Sequence, residues 1–258
     1  MTANFRIRQF LTPYLSRDHA TSAAHLGTIL DWLEALDLAP ETMSFSDEPA
    51  HRYYRVPYDP QFLRQYVLET PGLLMPIFYR AAAPASTFSP GFVSEGLMYN
   101  SCAIRFENVE LHRRAQLGTL ASRMASVTRP LFGGIGFPWT DTTEEARRFN
   151  AMLNTGGLDL HNNGPDSAAV RSWFGPPFAA QLDPAALTAL DLVVRTTDWG
   201  GLEVDLTDEP WNAPLELLAA QKQAFNGYLS DLGLLGDYSR RLLRRPGARW
   251  AQVKAHLP

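Results

Sequence analysis

Residues Ala169–Leu182 read AVRSWFGPPFAAQL, and this stretch decides the fold. Ala169 to Phe174 is a short, strand-like approach that ends in two aromatics. Gly175-Pro176-Pro177 then stops it, because two consecutive prolines donate no N–H to a strand ladder. The same prolines suit the first turn of a helix, where the N–H groups lack intrahelical partners and φ is already near its helical value. The chain restarts as Phe178-Ala179-Ala180-Gln181-Leu182. This is a strand-to-helix corner wedged by Trp173 and Phe174, a packing device and not a chemical one.

Downstream of the corner, Pro184 opens a short helix to about Leu190. Leu192–Arg195 and Leu202–Leu206 flank Trp199-Gly200-Gly201, a hairpin signature. Asn212 and Pro214 start a long helix with Leu215, Leu218, Phe225, Leu229 and Leu232 inward, and Tyr238–Leu257 is expected to be helical with a break at Pro246. Upstream, Pro130–Phe137 (PLFGGIGF) reads as a buried strand whose glycines permit close backbone approach. Thr142-Thr143-Glu144-Glu145 caps an expected helix to Leu153.

The first half repeats the alternation of strand and helix. Phe5–Leu11 is a strand with Phe5, Ile7 and Gln9 alternating against Arg6, Arg8 and Phe10. Ser16 caps a helix over about Arg17–Asp37, striped by Leu26, Ile29, Leu30, Leu33 and Leu36 at helical spacing. Met43–Phe45 is a short strand, followed by a polar, Tyr-rich connection through Asp59 and a short helix from Pro60 to about Leu68. Leu73–Arg80 is a strand and Ala81–Pro90 a Pro-interrupted surface loop. Leu97–Glu107 is a strand, and Val109–Val127 a helix with Leu117, Leu120, Met124 and Val127 on one face. Strand pairs this close in sequence predict an α+β fold, a mixed, largely antiparallel sheet packed with amphipathic helices. The expected organisation is one α+β domain over 1–258, with the halves 1–128 and 129–258 as the alternative division.

The 258 residues are 45% hydrophobic and 19% charged, the composition of an ordinary globular protein. No apolar run reaches the length of a transmembrane helix. The N-terminal segment lacks a signal-peptide core, so the expected location is the cytoplasm. The lone Cys102 rules out an internal disulfide framework and a Cys-based zinc site. The net charge of −4 is unevenly spread: from Asp237 onward one acid faces six bases, a net of +5, which leaves −9 on the rest. An acidic body argues against nucleic acid as the main ligand, and the basic end reads as a solvated helix terminus.

Candidates for chemistry are sparse. Gly133-Gly134-Ile135-Gly136 lacks the Lys and Ser/Thr of a phosphate loop. His161 lies among Asp159, Asn162 and Asn163, but one imidazole with amides is a poor metal set and Asn162-Asn163-Gly164-Pro165 is already a turn. His19, His25, His51, His112 and His256 are scattered, and no nucleophile elbow is present. No catalytic, cofactor-binding or metal-binding residue is therefore assigned. Among the carboxylates, Glu144-Glu145 suits a helix start, and Asp208-Glu209 a turn before Pro210. Glu203 and Asp205 are more informative. With Leu202, Val204 and Leu206 inward, both acids fall on the opposite face of one strand. They are expected to form an exposed acidic stripe able to meet a basic partner, and with Asp208 and Glu209 they make up the candidate partner-binding set.

Several segments taken together resemble the type VI secretion immunity family of bacterial proteins. These are FLTPYLSRDHATSAAHLGTILDWL (10–33), CAIRFENVELHRR (102–114), PLFGGIGF (130–137), GGLDL (156–160), AVRSWFGPPFAAQLDP (169–184) and GGLEVDLTDEPW (200–211). They occur in the family's order, and the aromatic-Gly-Pro corner is the most diagnostic. The resemblance implies a cytoplasmic protector that binds a cognate toxin effector, expected to carry a basic surface, and blocks it without chemistry, cofactor, nucleic acid or membrane. Two rival readings stand beside it: an enzyme with a spatially assembled site around His161 or His112, and a scaffold or adaptor of a secretion or phage-like system.

Overall fold

A computed structural model describes residues 2–10, 19–47, 52–63, 76–91, 101–136, 162–237 and 245–255. The chain divides into two compact units, Met1–Thr128 and Arg129–Pro258. Every strand pairing recorded within either unit is antiparallel. The expectation of an α+β fold with a largely antiparallel sheet holds.

The first unit holds strands β1 (Thr2–Phe10), β2 (Thr42–Asp47), β3 (Arg52–Pro57), β4 (Ile77–Arg80), β5 (Ser86–Pro90) and β6 (Ser101–Glu110). Their lateral order is β3-β2-β4-β5-β6-β1. Among the described residues the unit also holds helices α1 (His19–Ala35) and α2 (Leu111–Thr128), and residues 60–63 are helical as well. The alternation in β1 sends Phe5, Ile7 and Gln9 inward, where they join Ile104, Phe106 and Phe88 of the neighbouring strands. Leu26, Ile29, Leu30 and Leu33 of α1 are buried as their spacing predicts, as are Leu117, Leu120 and Met124 of α2.

Gln9 is a polar group on this buried face and is satisfied there. Its Nε2 donates to the Ala121 carbonyl at 3.1 Å, and its Oε1 accepts from the Thr128 hydroxyl at 2.7 Å. The pair fastens β1 to α2 by hydrogen bonds that an apolar core would lack. Near the other end of the ladder the register slips between Ala3 and Phe5, and β6 carries one extra residue there. Asn108 absorbs it with φ of 54°, a conformation Asn tolerates better than most side chains.

Two segments differ from the sequence reading. The Tyr-rich connection contains β3, which pairs with β2 along its whole length. The Ala81–Pro90 segment is a loop only at its start, because Ser86–Pro90 form β5 between β4 and β6. Glu41 anchors the loop part by accepting the Ala81 and Ala82 N–H groups at 3.0 and 3.1 Å. Those two backbone bonds hold its carboxyl below the ordinary glutamate value.

The second unit holds β7 (Phe132–Gly136), β8 (Arg171–Phe174), β9 (Val193–Thr196) and β10 (Leu202–Asp205), ordered β7-β8-β10-β9. Among the described residues its helices include α3 (Pro176–Ala179), α4 (Pro184–Ala189), α5 (Leu215–Asp231) and α6 (Trp250–Ala255). β7 is buried along its whole length. A Cβ on Gly134 would collide with the Cβ of Ala169, so the close approach read from PLFGGIGF is real.

The corner is as expected: β8 ends at Phe174, Gly175 is the N-cap and Pro176 and Pro177 open α3. Phe174 lies 4.8 Å from Phe178 and 5.6 Å from Phe132 between ring centroids, and Phe178 lies 5.8 Å from Trp250. The C-terminal segment is corrected in part. Asp237 and Arg245 pair as a β-bridge, and only Trp250–Ala255 is helical among its described residues. That helix buries Trp250 and Val253, so it packs on the core and is not merely solvated. The expected helix at 142–153 lies outside the described residues, as does His161.

Candidate functional site

Among the described residues, a dense polar arrangement lies on one face of the second unit's sheet. Antiparallel register sets Asp205 of β10 opposite Arg171 of β8, and Glu203 opposite both Trp173 of β8 and Arg195 of β9. Side chains two residues apart share a face. Arg171, Trp173, Glu203, Asp205 and Arg195 therefore converge, while Phe174, Leu202 and Val204 line the opposite, apolar face.

Each carboxylate oxygen has a donor. Arg171 holds Asp205 as a two-pronged fork, Nε to Oδ1 and Nη2 to Oδ2, both at 2.6 Å. Arg195 Nη1 reaches Asp205 Oδ2 at 2.7 Å and Glu203 Oε1 at 3.3 Å. Trp173 Nε1 donates to Glu203 Oε2 at 2.9 Å. Arg171 Nε also stands 3.5 Å from Glu203 Oε1. The Arg171 guanidinium lies 5.0 Å from the centroid of the Trp211 ring, within cation–π reach. Burial by itself would lower the Arg171 pKa, yet the hydrogen bond and charge of Asp205, together with the charge of Glu203, raise it above the ordinary guanidinium value.

The expected exposed acidic stripe is therefore corrected. Glu203 and Asp205 do share the face opposite Leu202 and Val204. Their side chains, however, are 12% and 0% exposed, against 46% for Arg195. Two arginines and an indole cover them, because two carboxylates on a sheet face this well packed need counter-charges and donors. The lattice is neutral overall and cross-links three strands. Its acids are already engaged as acceptors, the arrangement of a structural brace and not of a general acid or base. Asp208 and Glu209, the other two candidates, are exposed in the turn after β10, where the Glu209 carbonyl accepts from Asn212 and Ala213.

Sequence reasoning missed Arg171 and Arg195. One partner was within reach: a hairpin centred on Trp199 sets residue 195 opposite 203. The other depends on the β8–β10 register, which no local signal fixes. His112 is exposed at the start of α2, with Nδ1 3.2 Å from Glu110 Oε2. Buried Cys102 sits on β6, and burial pushes its thiol pKa up, away from the reactive thiolate. Among the described residues no group of three or more His, Cys, Asp or Glu side chains is placed to hold a metal ion. Among them, too, no helix is long and apolar enough to cross a membrane.

Fold and site together define a class: an α+β protein of two antiparallel sheet units, one of them braced by a buried ionic lattice. No protein-family profile matches the chain, and no curated protein matches it. Among solved structures it is similar to the Pseudomonas aeruginosa T6SS protein PA0821. That similarity has a TM-score of 0.54 at 14% identity and covers 99% of this chain and 82% of the other. At that identity the likeness is one of fold.

Proposed function

We propose that this protein is an immunity protein of a type VI secretion system, which binds a cognate toxin effector and neutralises it non-covalently in the cytoplasm. The observation that carries the reading is the fold likeness to a T6SS protein over nearly the whole chain. The ordered resemblance of segments from Phe10 to Trp211 supports it independently. Inhibition by binding alone agrees with the lattice, whose carboxylates are spent on Arg171, Arg195 and Trp173. The net charge of −4 favours an effector with a basic surface, drawn in by long-range attraction. Exposed Asp208 and Glu209 remain candidate contacts, whereas Glu203 and Asp205 act by holding the sheet.

The test is co-expression with the product of the adjacent gene. Rescue of growth, with a stable complex that co-purifies, is the expected result. Failure of both overturns the reading. Co-purification with structural components of the secretion apparatus in place of the toxin replaces it with a scaffold or adaptor role.

A further inference from the structure

The second unit's sheet is ordered β7-β8-β10-β9, so β9 is an outer strand. The bonds at the hairpin fix which of its backbone groups are used. The Thr197 N–H donates to the Gly201 carbonyl at 2.9 Å, and the same register pairs Arg195 with Glu203 and Val193 with Asp205. Alternate residues of an antiparallel strand turn their N–H and C=O groups to opposite sides. Val193 and Arg195 therefore bond to β10, while Val194 and Thr196 aim theirs outward. Among the described residues those outward groups meet no hydrogen-bond partner. Helix α4 packs against β9, yet Thr196 is exposed and Val194 only half-buried.

Arg195 stands in the middle of this strand. Its Nη1 makes both bonds to the lattice, 2.7 Å to Asp205 Oδ2 and 3.3 Å to Glu203 Oε1. Its Nε and Nη2 donate to nothing among the described residues, and the side chain is nearly half exposed. Those two atoms are the pair with which Arg171 grips Asp205. Arg195 thus offers the same fork to solvent, held in place by the carboxylates behind it. A charge on an edge strand ordinarily discourages pairing. Here Glu203 and Asp205 already balance that charge. What is left over is donor geometry and not an unpaired cation.

We infer that the β9 edge takes up an extended segment of a protein partner as an added strand, with a carboxylate of that segment in the Arg195 fork. Strand addition draws affinity from backbone bonds and selectivity from alternate side chains. The residue opposite Arg195 stands in a non-hydrogen-bonded pair, the closer of the two kinds, with about 4.5 Å between Cα atoms. Two parallel N–H groups call for two acceptor oxygens, which a carboxylate has and a carboxamide lacks. The residues on either side of that acid face Val194 and Thr196, where β-branched side chains fit. A second copy of this chain fits poorly. Pairing through Val194 and Thr196 of both copies sets one Arg195 directly opposite the other, donor against donor.

The test uses the full chain with the variants R195Q and T196P. Thr196→Pro deletes one outward donor and leaves the β9–β10 ladder whole, since Pro is tolerated where an edge N–H faces solvent. Both variants are expected to keep the wild-type circular dichroism and thermal midpoint, as changes on an exposed edge do. The probe is the fluorescein-labelled peptide GSTVEVTSG, with its central Glu replaced by Gln or by Lys in two controls. Binding is read by anisotropy up to millimolar protein. The wild type is expected to bind the Glu peptide about tenfold more tightly than the Gln peptide, and the Lys peptide more weakly still. R195Q removes the preference between Glu and Gln, and T196P weakens every peptide alike. A Glu preference that survives in R195Q overturns the inference, as does equal binding by wild type and T196P. So does failure of the wild type to bind the Glu peptide at all. No effector enters the assay, so these outcomes are independent of the immunity reading.

Discussion

Asp205 and Arg195 touch through a 2.7 Å bond but are not equivalent. The Asp205 side chain is fully buried and accepts three donor contacts from two arginines. Removing one member of a buried ion pair leaves the other charge uncompensated, at a cost of about 3–5 kcal/mol. Arg195 is nearly half exposed, so water takes over its role at its own end. Asp205→Asn is therefore expected to lower unfolding stability by about 3–5 kcal/mol, because Arg171 loses its counter-charge. Arg195→Ala should cost less than about 1 kcal/mol, as partly solvated pairs do. Urea unfolding of both variants checks the contrast. Equal losses would show that the lattice is screened throughout and is not a brace.

At the scale of the element, the corner is the clearest case of structure legible in sequence. Gly175-Pro176-Pro177 act through backbone constraints that need no distant partner, so β8, α3 and their junction could be read directly. The β9–β10 hairpin was legible for the same reason. β5 was not: Ala81–Pro90 is small and Pro-interrupted, and its strand exists because β4 and β6 flank it on both sides. The lattice failed to show for a related reason. Arg171 and Asp205 are 34 residues apart, and only the ladder brings them together. Legible packing leads to a quantitative expectation. The Phe174 ring is fully buried among Phe132, Phe178 and Phe225. Phe174→Ala should cost about 3–5 kcal/mol, the transfer energy of the ring plus the cavity it leaves. A variant of unchanged thermal midpoint would mean that the corner is not the wedge on which α3 is seated.

Across the whole molecule, charge and packing separate most clearly in the C-terminal segment. Its six basic residues give it a net of +5 against −9 for the rest, a polarity visible in the sequence. Its structural role was less visible, because Trp250 and Val253 count for little beside a run of arginines until α6 is seen to bury them. Two of its described bases can therefore be changed without disturbing the packing of α6. Arg245 and Arg249 are exposed, and Asp237 and Arg245 are bridged through their backbone N–H and carbonyl groups. Arg245→Gln with Arg249→Gln removes two positive charges, taking the net charge from −4 to −6. Stability should stay within about 0.5 kcal/mol, as for other surface changes remote from special features. If the effector presents a basic surface, its association with the variant should quicken several-fold at low salt, and the gain should shrink as salt screens the field. Stopped-flow association at two ionic strengths measures this. A variant that associates more slowly would place the basic segment at the interface itself, and would show that attraction to the acidic remainder is not what brings the partner in.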